Sequence, residues 1–283
     1  MKIQTINAER ILSPTNISLA QYAINPYRGC PFACRYCYAQ ANKTVQKRHA
    51  PWGSFIDVKI NAVELLDKEI QNKTISRVLL GSTVECYPPQ EKNFRLTEGI
   101  IKLLNEHGIA VTILSKSCLI ERDAELLSRN KDNKVYLTIN FDQETHKKLF
   151  EPFSPPIKNR LRTLTILRQH AIARRVHIAP LFPFLQNIET ICRMVKEDTE
   201  EISIELYNFK MGNWKEIEPL IAHTMPKEMF AAVKKAVSGK DAYEKYVAML
   251  KESTEALARK LNKKLLLITP AYDSYYCENL SYE

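Results

Sequence analysis

The fold is decided by Ile109-Ala-Val-Thr-Ile-Leu-Ser115 and by what stands on either side of it. These seven residues carry no charge and are rich in β-branched side chains, the signature of a strand covered on both faces rather than one alternating between core and water. Immediately upstream, Leu96 to Asn105 carries apolar residues at helical spacing and closes on His107-Gly108, a helix stop. One step further back, Arg77-Val-Leu-Leu-Gly81 is a second short apolar run. Strand, helix, strand in this order reads as a βαβ unit, whose strands lie parallel and whose crossover is right-handed.

The same alternation extends outward. A helix is expected over Arg122 to Ser128, a strand over Lys134 to Asn140, a helix over Lys158 to Ala171, a strand over Arg175 to Leu181, a helix over Ile188 to Glu197 and a strand over Ile202 to Leu206. The pattern runs from about Ser18 to Leu206 and suits six strands, whereas a closed eight-stranded barrel takes about 250 residues. The expectation is therefore an α/β protein built as a partial (β/α)6 TIM-type barrel over residues 1–208. A mostly helical C-terminal extension over 209–283 packs on it, with helices at Pro226 to Val237 and Asp241 to Asn262 and a last strand at Lys264 to Thr269. In barrels of this type ligand-binding residues collect at the C-terminal ends of the strands.

Composition sets the outer limits. The chain has 283 residues, 45% of them hydrophobic and 26% charged, which is globular and not disordered. No run of 18 apolar residues is present, so no membrane partner is expected, and Met1 to Arg10 has no secretory h-region, so the expected location is cytoplasmic. Seven cysteines without a secretory signal argue against a disulfide framework. Three of them, Cys30, Cys34 and Cys37, fall within eight residues, in Asn25-Pro-Tyr-Arg-Gly-Cys-Pro-Phe-Ala-Cys-Arg-Tyr-Cys-Tyr38. The other four are scattered.

Three thiolates in one compact loop are soft ligands that select zinc, copper(I) or an iron–sulfur cluster. A closed zinc site takes four ligands, commonly as two pairs, and no second Cys/His pair exists here, so zinc would need a lone partner such as His49 or Cys86. Three thiolates on a four-iron cluster leave one iron open, as a catalytic centre requires.

The spacing Cys-x3-Cys-x2-Cys followed by an aromatic resembles the signature of the radical S-adenosylmethionine (SAM) superfamily. The longer wording Asn25-Pro-Tyr-Arg-Gly-Cys…Tyr36-Cys-Tyr-Ala39 resembles its spore photoproduct lyase-like branch, which is labelled DNA repair photolyase-related. Val84-Glu-Cys-Tyr-Pro-Pro-Gln-Glu91, Ser115-Lys-Ser117, Arg122-Asp123, Glu151-Pro152 with Pro155 and Arg160, and Ala179-Pro180 with Pro183 resemble further segments of that branch, so the likeness runs from about Asn25 to Asn187. It implies a [4Fe-4S] cluster on Cys30, Cys34 and Cys37. It also implies SAM bound to the open iron and reductively cleaved to a 5′-deoxyadenosyl radical that takes hydrogen from a substrate, and a flavodoxin- or ferredoxin-type reductant. Tyr36 would lie near the adenine, Lys116 would meet the SAM carboxylate, Glu85 its ammonium, and Thr138 and Asn140 its polar groups. The branch has proline where this chain has Cys86. A thiol there could donate a hydrogen atom to a substrate radical, although a buried packing role is preferred.

The excess of 41 Lys+Arg over 32 Asp+Glu, a net +9, permits a polyanionic partner. Basic clusters occur at Lys43/Lys47/Arg48/His49 with Trp52 close by, Arg174/Arg175, Lys234/Lys235 and Lys263/Lys264, a composition compatible with a nucleic-acid substrate. The tyrosines at 272, 275, 276 and 282 either stack on bases or pack the extension, and packing is preferred. A peptide or small-metabolite substrate, or a non-enzymatic zinc or iron–sulfur protein, are the alternatives.

Overall fold

The computed structural model describes residues 1–210, 212–272, 274 and 277–282. The chain divides into two compact units. The first comprises Met1–Cys34, Ala39–Leu137 and Phe153–Arg174; the second comprises Arg35–Tyr38, Thr138–Pro152 and Arg175–Glu283.

In the first unit, strands β1 (Lys2–Ile6), β2 (Leu12–Pro14), β3 (Tyr22–Ile24), β4 (Tyr27–Arg28), β5 (Phe55–Lys59), β6 (Arg77–Leu80), β7 (Ala110–Ser115) and β8 (Lys134–Thr138) form two sheets. β3, β6, β7 and β8 lie parallel, in registers that pair Leu79 with Ala23, Val111 with Val78 and Val135 with Ile113, and β2 closes this run antiparallel to β3. The uncharged run read from the sequence is thus β7, at the middle of the parallel strands. Val78, Leu80, Val111, Ile113 and Val135 share one core with Ile100, Ile101 and Leu104 of the helix Leu96–Glu106, all of them buried. A small sheet, β1-β5-β4, lies outside the expected alternation: β1 runs parallel to β5, and β4 pairs Tyr27 with Val58 antiparallel. The helix expected over Arg122 to Ser128 begins as a 3-10 turn over Cys118–Asp123. Ser117 Oγ accepts from Leu119 N at its start, and only Ala124–Ser128 is α-helical.

In the second unit, β9 (Ala173–Leu181, within the unit from Arg175), β10 (Glu201–Leu206) and β11 (Lys264–Pro270) are parallel, pairing Ile202 with Val176 and with Leu265, and β12 (Cys277–Tyr282) runs antiparallel to β11. Residues 209–283 hold the helices Trp214–Thr224, Lys227–Ala236 and Lys240–Leu261, the strand β11 where a last strand was expected, and a further strand, β12, that was not. The segment is grouped with β9 and β10 because β11 pairs with β10 along five residues. Ile178, Ile202, Ile204, Leu265 and Leu267 are buried along with Ile191, Val195 and Ala258 of neighbouring helices. Tyr275 and Tyr276 lie outside the described residues.

Candidate active site

The loop that carries the thiols is shaped before its first cysteine. Gly29 has φ +78°, and a Cβ there would stand 2.6 Å from the Phe55 carbonyl oxygen, so only glycine lets the chain pass this close to β5. Arg28 donates to Asp57 at 2.7 Å, and Ala33 N donates to Cys30 O at 3.3 Å in the turn that follows. Cys30 and Cys34 are buried and belong to the first unit; Cys37, half-buried, belongs to the second. Three cysteine thiolates are a donor set of the kind an iron–sulfur centre uses. Among the described residues no three Cys, His, Asp or Glu side chains gather round one point as a single bound ion requires. A four-iron centre binds its thiolates through separate irons and needs no such gathering.

Upstream of the loop, the chain is anchored by Glu91, which has no exposed surface. Its carboxylate accepts from the Tyr27 hydroxyl, from Leu96 N (3.1 Å) and Thr97 N (3.0 Å), and from Arg122 Nη2 (3.1 Å). The first turn of a helix leaves its N–H groups without intrahelical partners, and here a carboxylate five and six residues upstream serves them. Arg122 also holds Asp123 at 2.7 and 2.8 Å and donates to the Glu91 carbonyl at 2.9 Å. Burial and the adjacent Glu91 push the Tyr27 phenol far above its ordinary range, so it stays a donor.

Glu85 follows β6, and its side chain turns toward the end of β7. Oε1 accepts from Ser115 Oγ at 2.7 Å and Tyr87 N at 2.9 Å, and Oε2 accepts from Lys116 N at 2.9 Å. A carboxylate offers about four acceptor positions, so three donors leave room for one more, which suits an ammonium group. The structure thus brings Glu85 and Lys116 together, tied through the Lys116 backbone. The adjacent Cys86 has no exposed surface: its Sγ lies 4.0 Å from Leu114 O, and a Cβ added at Gly81 would meet it at 3.3 Å. Burial, with Glu85 and Glu91 nearby, drives this thiol well above its ordinary range.

In the second unit the structure gathers Tyr36, Asn140 and Glu151. The Tyr36 hydroxyl donates to Glu151 Oε1, and Asn140 Nδ2 donates to both Tyr36 Oη (2.7 Å) and Glu151 Oε1 (2.9 Å). Asn140 Oδ1 accepts from Ala179 N at 2.6 Å. Arg35 N donates to Phe150 O at 2.9 Å, and the Tyr36 ring meets Phe182 edge-on at 6.0 Å. Asn140, 1% exposed, therefore holds the cysteine loop and β9 through both ends of its amide. Thr138, at the end of β8, is buried as well. Glu151 was quoted only as part of a motif, yet it is the acceptor at the centre of this network. His177, Ser203 and Glu205 were not singled out at all: His177 Nδ1 lies 2.7 Å from Ser203 Oγ, and its Nε2 lies 3.4 Å from Glu205. Their signal in the sequence is alternation: His177 falls between Val176 and Ile178, Ser203 between Ile202 and Ile204, and Glu205 between Ile204 and Leu206, all of these apolar neighbours being buried.

Some of the cations in the basic clusters are engaged within their own units. Arg48 pairs with the buried Asp57 at 2.8 Å, Arg175 with Glu201 at 3.1 Å and Lys264 with Glu201 at 3.3 Å, while Lys263 Nζ donates to Thr199 O at 2.7 Å. Lys43, Lys47, His49, Lys234 and Lys235 are exposed.

The sequence profile of the radical SAM superfamily matches residues 24–197. An uncharacterised protein of Methanocaldococcus jannaschii is 33% identical over 248 residues, 87% of this chain and 91% of its own length. An uncharacterised protein of Mycobacterium tuberculosis is 30% identical over 174 residues, 58% of this chain and 51% of its own. Among solved structures, spore photoproduct lyase complexed with dinucleoside spore photoproduct is similar at a TM-score of 0.56 and 16% identity, over 80% of this chain and 66% of that one. A variant of that lyase with bound AdoMet and the same dinucleoside is similar at 0.54 and 18%. The chain thus spans about two thirds of the lyase and half of the mycobacterial relative. At these identities the lyase structures establish the fold: α/β, with parallel strands in a partial TIM-type barrel. No helix among the described residues is long and apolar enough to cross a membrane.

Proposed function

This chain belongs to the radical SAM superfamily, whose cofactors are a [4Fe-4S] cluster and SAM, and from that premise we propose that it uses them to abstract hydrogen from a nucleic-acid substrate, as a repair or modification enzyme. The observation that carries the reading is the Cys30-x3-Cys34-x2-Cys37 loop, placed after a glycine that no other residue can replace without strain. When bound, the cluster and SAM supply a 5′-deoxyadenosyl radical from one-electron cleavage of the sulfonium, the electron coming from a flavodoxin- or ferredoxin-type donor.

The remaining chemistry is the work of the chain. Cys30, Cys34 and Cys37 would hold the cluster, with one iron left to SAM. Glu85, with one acceptor position beyond its three hydrogen bonds, would take the SAM ammonium, and Lys116 would meet the carboxylate. Tyr36, its hydroxyl held by Glu151 and Asn140, would lie near the adenine. Asn140 acts as a positioning residue, its amide engaged at both ends. Thr138, at the end of β8, is assigned to the SAM polar groups. Cys86 is assigned to packing, since a hydrogen-atom donor must reach the substrate and this thiol is enclosed. A nucleic-acid substrate is supported by the net +9 and by the exposed Lys43, Lys47 and His49 that follow the cysteine loop. The lyase of similar fold is one that was captured with a dinucleoside.

The test begins with anaerobic reconstitution. About four irons per chain and release of 5′-deoxyadenosine from SAM under dithionite are expected, with Cys30→Ala, Cys34→Ala and Cys37→Ala each abolishing both. One zinc per chain and intact SAM would overturn the enzymatic reading. DNA and RNA binding measured across a salt series is expected to weaken linearly in log–log form; a slope of zero, or no binding at low salt, would overturn the substrate class.

A further inference from the structure

Between Glu9 and Asp57 the sequence has no carboxylate, yet it carries Arg10, Arg28, Arg35, Lys43, Lys47 and Arg48. In the first unit, part of this stretch meets β5 at one charged sheet face. Side chains alternate between the faces of a strand, so Phe55, Asp57 and Lys59 share one face of β5, and Arg28 joins them because β4 pairs Arg28 with Asp57. Asp57 has no exposed surface, and Arg28 reaches its Oδ2 through Nε at 2.7 Å and Nη2 at 2.6 Å. Arg48 lies over the Phe55 ring at 5.5 Å and sets Nη2 2.8 Å from Asp57 Oδ1. Neither that nitrogen nor Arg48 Nε has a hydrogen-bond partner among the described residues, so charge and the ring hold this guanidinium without directional bonds. Lys59 Nζ donates to a neutral acceptor, Asn25 O, at 2.7 Å. Burial and then the neighbouring Arg28 lower the Lys59 pKa, as expected where cations crowd. The Arg28 and Arg48 side chains remain 31% and 22% exposed.

We propose that Arg28 and Arg48 form a subsite for one phosphate group of the nucleic-acid strand; the choice of phosphate over carboxylate rests on the substrate class proposed above. A guanidinium presents five N–H donors in a planar fork, and Asp57 engages only one side of the Arg28 fork. The donors that remain match two phosphate oxygens at once, which a point charge does not. Arg48 gives up no directional bond when it turns to meet the anion. With one carboxylate beneath two guanidiniums and Lys59 beside them, the face has a place for a further negative charge. Phosphate contacts fix where a strand lies and not which bases it carries, so this subsite positions the strand without reading its sequence.

The experiment uses the full chain loaded with its cluster, kept anaerobic. Binding of a fluorescein-labelled single-stranded oligonucleotide is compared with that of the same sequence carrying neutral methylphosphonate linkages. The proteins are the native chain, Arg48→Gln, Arg48→Lys and, as a distant basic control, Lys234→Gln. Arg48→Gln should lose on the order of tenfold for the phosphodiester strand and nothing for the neutral one. Arg48→Lys keeps the charge without the fork and should fall between Arg48→Gln and native, while Lys234→Gln stays native. An Arg48→Gln variant that binds the phosphodiester strand as tightly as the native chain, or an equal loss in Lys234→Gln, overturns the subsite and leaves the substrate class standing. So does calorimetry in which inorganic phosphate binds the native chain and not Arg48→Gln while strand affinity is unchanged, since the subsite then takes free phosphate. No binding of either strand by the native chain at low salt overturns the substrate class, and the subsite with it. Thermal midpoints verify folding; should Arg48→Gln fail to fold, Arg48→Lys decides, and native affinity in that variant overturns the subsite.

Discussion

Glu91→Gln isolates the anchor beneath the cysteine loop. The change keeps the volume but removes the charge and turns one acceptor oxygen into an NH2 group. That group then faces some of the donors the carboxylate now serves: the Tyr27 hydroxyl, Leu96 N, Thr97 N and Arg122. Loss of negative charge at a helix N-terminus costs about 0.3–1 kcal/mol at an exposed site and up to about 2 when partly buried, as here. Breaking a buried ion pair by removing one partner costs about 3–5 kcal/mol. Arg122 is 21% exposed and keeps Asp123 at 2.7 Å, so that larger figure applies only in part. The two effects together come to about 3 kcal/mol, a large fraction of a typical folding free energy. At about 2–4 °C per kcal/mol for a chain of this order of size, the thermal midpoint should fall by about 6–12 °C. Differential scanning calorimetry of the cluster-loaded protein measures it, with Glu98→Gln as comparator: Glu98 is 3.6 Å from Arg122, is partly exposed and should lose less than about 1 kcal/mol. Because Tyr27 stands three residues before Cys30, Glu91→Gln should also lower iron content after reconstitution. A midpoint within about 2 °C of native, or an equal loss in Glu98→Gln, would refute the anchor.

Three further outcomes follow from the same geometry. Gly81 has φ +84°, and a Cβ would lie 2.2 Å from Leu114 O, so Gly81→Ala should cost about 2–4 kcal/mol, read as a lowered urea midpoint with an unchanged slope; native-like stability would show that this turn can relax. Asn140→Asp would set a second carboxylate within bonding distance of Glu151, where two like charges force one carboxyl to hold its proton. The variant is therefore least stable at neutral pH, and its deficit in thermal midpoint should shrink as pH falls from about 8 to about 5; a deficit independent of pH would mean that the charges do not meet. Burial pushes the Cys192 thiol up to about 12 and the Cys86 thiol well above its ordinary range. Since the thiolate is the nucleophile, both thiols stay protonated and unreactive at pH 8. Iodoacetamide followed by peptide mass mapping should leave both unmodified in the folded protein and modify both in urea. Labelling of folded Cys86 at the denatured rate would reopen its role as hydrogen donor.

The parallel strands were legible because each is a short uncharged run set off by a helix with clear stops, as in the passage from Arg77 through Ile109 to Ser115. What escaped had no such contrast. β1 exposes Lys2, Ile3, Gln4 and Thr5, so no apolar pattern marks it, and it is a strand only because β5, some fifty residues later, offers it an edge. The helix Trp214–Thr224 contains Pro219, which reads as a breaker, and β12 is a half-exposed edge strand. At the site, the cysteine spacing is local and could be read directly. Glu91 and Glu151 could not be given roles in the same way: their partners are 64 and 115 residues away in sequence, and a buried carboxylate looks like a surface one until the donors converge on it. Asn140 shows the converse, since a polar residue at a strand end suits a ligand contact as well as the internal clamp it forms.

Asp57 is buried without exposed surface and holds both Arg28 (2.6 Å) and Arg48 (2.8 Å), with the Arg48 guanidinium lying over the Phe55 ring at 5.5 Å. Asp57 is thus a counterion built into the fold, and it balances one of the two guanidinium charges. In the proposed binding of nucleic acid, each protein cation that neutralises a phosphate releases ions condensed on the strand, so the salt slope counts Lys43, Lys47 and other exposed cations in full and the Arg28–Arg48 pair as at most one. Asp57→Asn removes the internal counterion, and the slope should steepen by about one phosphate contact.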